Sequence, residues 1–201
     1  MSTENSGTAS RPYRKRRRAE LERATRERIT AAAVELHGTV GPARTTISEL
    51  AERAGVQRAT VYRHFPDEGA LFEACSAHWA AENPLPDLEP LLAIADAEQR
   101  LRQVLAALYG YFGTAEPMLA NIFRDAPAMP ALAAVSAQRA AGLTALAGVL
   151  ADGWDGGDPE LRTAAISLGL DFRTWQMLVR ERGLCDAQAV GLMVSATVAS
   201  G

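Results

Sequence analysis

The chain has 201 residues, 48% of them hydrophobic, and a formal net charge of −3, enough apolar material for the core of one large or two small domains. No apolar run comes near the roughly 18 residues of a membrane span. The opening MSTENSGTASRPYRKRRR has a basic stretch with no apolar segment behind it, which argues against a secretory signal and for a cytoplasmic protein. Cys75 and Cys185 show no CxxC or Cys/His spacing, so both are expected as buried, unpaired thiols, and neither a metal nor a cofactor is expected.

The small net charge hides an asymmetry. Residues 1–64 hold 13 Lys+Arg against 7 Asp+Glu, and residues 65–201 hold 8 against 17. A basic amino-terminal part on an acidic body suggests a module that binds a polyanion through one face.

In chain order, residues 1–18 read as a disordered basic arm, polar at first and then dense in Arg11, Arg14, Lys15, Arg16, Arg17 and Arg18. Such an arm can lie along phosphates, or can be a solvated tail. A first helix is expected from about Ala19 to His37, with Ile29, Ala32, Ala33 and Leu36 on one side and Gly38, Gly41 and Pro42 ending it. The segment TTISELAERAGVQRATVYRHF, Thr45 to Phe65, then reads as two short helices around an Ala54-Gly55-Val56 turn. Thr46 followed three residues later by Glu49 has the form of a capping box. Ile47, Leu50, Ala51 and Ala54 make one apolar stripe, and Gly55 can supply the left-handed residue that ends the helix. The second helix carries Val61 inward and Gln57, Arg58, Thr60, Tyr62, Arg63 and His64 outward. This is the layout of a DNA-reading helix-turn-helix, although an ordinary corner between two helices has the same outline.

Asp67 should cap a further helix with Leu71, Phe72, Cys75 and Trp79 on its inner face, ending before Asn83-Pro84-Leu85-Pro86. Beyond it every periodic stretch is helical: one helix marked by Leu101 to Phe112, a short one by Met118 to Phe123, and an alanine-rich helix over residues 129–151. The loop Asp152–Asp158 lacks the alternating ligands of a calcium site and reads as a surface turn, with Asp158 capping the next helix and Pro159 opening it. Leu161, Ala165, Leu168, Phe172, Trp175 and Val179 form a heptad seam, and Leu192, Met193, Ala196 and Thr197 a second apolar face. The pair can close inside one monomer or against a twin, and the four-helix interface of a homodimer is the favoured reading. No strand signal stands out. The expected fold is all-α, divided into an arm (1–18), a helix-turn-helix domain (19–66) and a connecting helix with an effector-binding and dimerisation domain (67–201).

Residues 25–75 resemble the TetR family of transcriptional regulators. The likeness rests on Ile29, Ala33, Leu36, Gly41, Thr45-Thr46-Ile47, Leu50-Ala51, Ala54-Gly55-Val56, Thr60-Val61-Tyr62, His64-Phe65 and Leu71-Phe72, in the family's order and spacing. The resemblance implies three DNA-binding helices, a connecting fourth, and a helical effector domain that dimerises through its last two helices. It implies a homodimeric repressor on a palindromic duplex operator, released when a small molecule binds. Gln57, Arg58 and Arg63 are then the candidates for base edges. Thr45, Thr60, Tyr62 and His64 are candidates for the phosphates, Arg44 for the backbone or the minor groove, and Thr46 for a further DNA contact. One departure is Glu68, after Asp67, where the family often has a phosphate-binding lysine; the arginine-rich arm can compensate.

Effector contacts are expected among Tyr109, Phe112, Met118, Asn121, Phe123 and Trp175, which favours an apolar or aromatic ligand. The chain carries no GxSxG, HExxH, P-loop or dinucleotide motif, so no enzyme activity is expected. The rival reading is an all-helical small-molecule or lipid-binding protein with a basic tail and no specific DNA site.

Overall fold

The computed structural model describes residues 10–200, with side chains from Tyr13 onward. Among these residues it is all-α: ten α-helices, short 3-10 turns and one wider π segment, with no strand. The chain divides into two compact units, one through Trp79 and one from Ala80.

The first unit is built from α1 (Ser10–Thr39), α2 (Ile47–Arg53), α3 (Arg58–His64) and the first three turns of α4 (Glu68–Glu82). Its core is Ile29, Ala33 and Leu36 from α1, Leu50 and Ala51 from α2, Val61 from α3, Phe65, and Leu71, Phe72 and Cys75 from α4. Cys75 Sγ lies 4.0 Å from the Thr30 carbonyl, and the His37 and Phe72 rings are 5.5 Å apart. These contacts tie α4 to α1, so its first turns belong with the helix-turn-helix rather than with the residues after it. Burial pushes the Cys75 thiol up to about 12, which keeps it protonated and inert. Cys185, by contrast, is exposed and stands just before the last helix.

Helix α1 departs from expectation at its start. Residues 1–9 lie outside the described residues, but residues 10–18 are helical and not a disordered arm. Their Arg and Lys residues, continued by Ala19, Glu20, Leu21 and Glu22, are good helix formers, and Pro12 falls in the first turn, where no N–H is needed. Arg16–Glu20 and Arg18–Glu22, each 3.1 Å, and Arg23–Glu27, 3.6 Å, add i,i+4 support of a few tenths of a kcal/mol apiece.

The second unit holds α5 (Glu89–Leu92), α6 (Ala97–Asp125), α7 (Pro130–Ala151), α8 (Pro159–Leu170), α9 (Phe172–Gln176) and α10 (Asp186–Val198). The two helices expected over residues 101–123 are a single α6, with Pro117 inside it. Phe112 and Ala115 before the proline and Met118 and Leu119 after it are buried along the same helix. Their packing outweighs the roughly 3 kcal/mol cost of an interior proline. Helix α7 is, contrary to the sequence reading, long and apolar enough to cross a membrane by length and composition. It packs on α6 and α8 and carries Gln138 and Arg139 near its middle, the latter costing about 2.5–3.5 kcal/mol at a bilayer centre.

The heptad seam also breaks. Asp171 caps α9 by accepting from the Arg173 N–H at 2.6 Å, so α8 stops at Leu170, and a π segment runs from Met177 to Glu181. After that break Phe172 and Trp175 turn into the core, whereas Leu161 and Leu168 remain 59% and 58% exposed. On α10 the expected apolar face is divided: Met193 and Thr197 are buried, Leu192 and Ala196 exposed.

Candidate nucleic-acid interface

The corner that presents α3 is held by local chemistry. Thr46 N-caps α2: its Oγ1 accepts from the Glu49 N–H at 3.2 Å and donates to Glu49 Oε2 at 2.8 Å, while its own N–H donates to the same carboxylate at 2.9 Å. These bonds hold the Glu49 carboxyl below its ordinary range, the backbone N–H of Thr46 first and its hydroxyl second. Gly55 then takes φ +64°, a conformation in which a side chain would be strained. Leu50, Ala51, Ala54 and Val61 close the inner side, and the direction of α3 is set.

At 100° per residue, Arg58, Tyr62, Ala59 and Arg63 fall about 60°, 100°, 160° and 200° round α3 from Val61, one continuous arc that runs from its flank to the opposite side. All four are exposed, as is Gln57 at the N-cap, so the donors expected to read bases share one face. Ala59, which the sequence reading passes over, occupies the middle of that face; its methyl is the size that meets a thymine methyl. Arg44, in the short turn Pro42–Arg44, is also exposed.

Four candidates are placed differently. The Thr45 hydroxyl donates to the Gly41 carbonyl at 2.9 Å and its N–H to the Pro42 carbonyl at 3.1 Å. Thr46 spends its hydroxyl proton on Glu49. A hydroxyl has one proton to give, so in this arrangement neither threonine offers a phosphate a donor. His64 follows Val61 by three residues and is carried to the buried flank of α3; Thr60, on the same side, is half-buried as well. His64 Nε2 is buried with no hydrogen-bond partner among the described residues. Desolvation first, then the Arg63 and Arg26 cations, lower the His64 pKa, which favours the neutral imidazole.

Arg26 is a contributor without a sequence signal, since its partners lie 38 and 39 positions away. Its Nη1 donates to the His64 carbonyl at 2.6 Å, and its guanidinium sits 4.1 Å from the Phe65 ring centroid. It places a cation at the C-terminal end of α3, the negative end of the helix dipole, and fixes α3 against α1. An ion pair between Arg53 and Glu35 ties α2 to α1 in a similar way.

The effector candidates of the second unit form a packed aromatic interior. Phe112 lies 5.6 Å from Phe172, edge-on, and 6.0 Å from Trp175; Phe123 stacks on Phe172 at 5.4 Å; Tyr109 is 6.1 Å from Phe112. The Tyr109 hydroxyl donates to the Gly169 carbonyl at 3.1 Å, and burial raises its pKa. Trp175 Nε1 donates to Asp186 at 3.0 Å. Met118 and Asn121 are buried on α6, where Asn121 Oδ1 accepts from Arg124 at 2.7 Å. Phe172, absent from the expected set, is the ring at the centre.

Known proteins resemble this chain in sequence over part of the first unit and in fold over most of its length. Residues 29–75 match the family described as bacterial regulatory proteins, tetR family. Over 47 residues the chain is 43% identical to the nucleoid occlusion factor SlmA of Vibrio campbellii, a match spanning 23% of this chain and about a quarter, 24%, of that protein. A TetR-like transcriptional regulator from Rhodococcus sp. RHA1 superposes with a TM-score of 0.64 at 20% identity, covering 87% of this chain and 93% of its own. A TetR transcription regulator from Haloarcula marismortui does so with 0.55 at 17%, covering 88% and 96%. At these identities the superpositions speak for the fold.

Proposed function

We propose that this chain, a member of the TetR family of bacterial regulatory proteins, is a DNA-binding transcription regulator that enters the major groove of a palindromic operator with α3. The observation that supports this most is the exposed face of Gln57, Arg58, Ala59, Tyr62 and Arg63 on a helix fixed by a glycine turn, a capping box and the Arg26 clamp. Arg can bind guanine bidentately and Gln adenine. Arg44 and the Tyr62 hydroxyl are suited to the backbone, which sets register without reading sequence. Selection of bound duplexes from random DNA should return an inverted repeat. On that site, Arg58→Ala or Arg63→Ala should each cost about 1–3 kcal/mol and relax the preference at one base pair. Variants that bind as tightly and as selectively as the parent would remove the arginine from base reading.

The dimer the operator requires is supported by α8 and α10, which pack together and expose Leu161, Ala164 and Leu168 at i, i+3 and i+7 beside Leu192 and Ala196. Self-complementary apolar stripes on a helix pair suit a two-fold four-helix interface. We read the protein further as a repressor that an apolar or aromatic molecule releases by entering the second unit among Tyr109, Phe112, Met118, Asn121, Phe123 and Trp175. Tyr109, Phe112, Phe123 and Trp175 pack with Phe172 in one ring cluster in the described state, so a ligand would favour a state in which they part. It could lower operator affinity only by its differential affinity for that state. A ligand that binds tightly and leaves operator affinity unchanged would end this part of the reading.

A further inference from the structure

We infer that the exposed amino-terminal stretch of α1, residues 14–28, is a second DNA-contact surface that follows the phosphates and supplies most of the salt-dependent affinity. The inference rests on the reading of the chain as a duplex-DNA binder.

The first observation is where the charge sits. The family-like part of the first unit, residues 29–79, carries 4 arginines against 6 acids, a net of −2. Residues 13–28 carry 8 Lys+Arg against 3 Glu, a net of +5. Attraction to duplex DNA comes from cations that displace condensed counterions. The helix-turn-helix proper, with acids such as Glu68 and Glu73 exposed beside it, is therefore poorly equipped to supply it alone.

The second observation is that this stretch is a helix without a core. No residue from Tyr13 to Arg28 is buried, and the first buried side chain of α1 is Ile29. Apart from Arg26, a stretch that buries no side chain gains little packing energy, so its length is explained by what it presents. Continuity with α1 also makes it directional. Arg26 on the same helix bonds the end of α3, which links the extension to the reading helix without an intervening loop.

The third observation is the pattern on its surface. At 100° per residue, Arg14, Arg17 and Arg28 fall within about 60° of one another, and Leu21 lies between them in the same arc. None of the three has an ion-pair partner among the described residues, whereas Arg16, Arg18 and Arg23 are engaged by Glu20, Glu22 and Glu27. No glutamate falls inside the arc. The result is a strip of unpaired guanidinium groups about 21 Å long at 1.5 Å per residue. A duplex presents roughly one phosphate charge per 1.7 Å of axis, so such a strip can meet several phosphates at once.

The test uses the full-length protein. In Arg14→Gln/Arg17→Gln/Arg28→Gln, glutamine keeps helix propensity and nothing buried is touched. The slope of log affinity against log salt should flatten by roughly 2 to 3, about 0.9 for each phosphate no longer neutralised. The ranking of preferred sequences should stay the same. The matching triple lysine variant should restore most of the slope, and equal far-UV helicity of both variants rules out unfolding. Arg58→Ala in parallel should change the ranking and move the slope by no more than about 1. If the parent selects a sequence and the glutamine variant keeps the parental slope, the extension is not a phosphate surface, as would hold for one built to meet an acidic protein. If the parent binds duplex without preference, the operator reading fails while the slope still judges the extension. No duplex binding at all would overturn both.

Discussion

Trp175→Ala should destabilise the second unit by about 3–5 kcal/mol, the range for emptying the space of a fully buried large aromatic. Trp175 is 1% exposed, lies 5.5 Å from Phe172 and 6.0 Å from Phe112, and donates its indole N–H to Asp186. Truncation removes ring contacts and leaves the Asp186 carboxylate without that donor, so the cavity and hydrogen-bond penalties act in the same direction. Trp175→Phe should recover much of the packing but not the bond. Denaturant titration followed by far-UV circular dichroism would measure both. The result also bears on the effector reading. If Trp175 lined an open pocket in the free protein, its truncation would cost less than about 1 kcal/mol, and that outcome would contradict its place in the core.

The Leu168→Glu/Leu192→Glu variant should be a folded monomer that has lost most of its operator affinity. Both side chains are exposed, 58% and 49%, so neither substitution disturbs the interior of the unit. In a two-fold interface each change appears twice, and four carboxylates would have to be desolvated against apolar stripes. Losing the second half-site removes an effective-concentration advantage on the order of 10²–10⁴ in affinity. Light scattering would report the mass and a binding titration the affinity. A variant that stays dimeric would move the interface elsewhere on the molecule.

Local chemistry was legible where partners sit within a few residues of each other. The Thr46–Glu49 capping box, the positive φ at Gly55, the Asp158 cap and the inward Val61 all follow from short-range spacing, and the structure contains each of them. The exposure of Tyr62 and Arg63 follows from the helical period once Val61 is known to point inward, whereas Arg58 and His64 lie equally near Val61 and the fold decides that Arg58 is exposed and His64 half-buried. The arginine extension was legible in composition but not in state. A run of six cations reads as a tail until the glutamates one turn further on are counted as helix partners.

Other features depended on contacts that no local pattern encodes. Thr45 and Thr46 have the right chemistry for phosphate, yet the fold spends their protons on Gly41 and Glu49. Arg26 gains its role from a carbonyl 38 residues away. The heptad seam looked continuous because periodicity takes the helix to be unbroken. The Asp171 cap ends α8, and the rotation that follows sends Phe172 and Trp175 inward while Leu161 and Leu168 stay outside. By itself the sequence determined helical character, the helix-turn-helix corner and the partition of charge, since these rest on spacings within a turn or two and on composition. Only the tertiary structure decided which apolar and hydroxyl groups are consumed by the core and which are left for a partner, because each side chain has one set of neighbours and the fold assigns them across distances the local pattern does not reach.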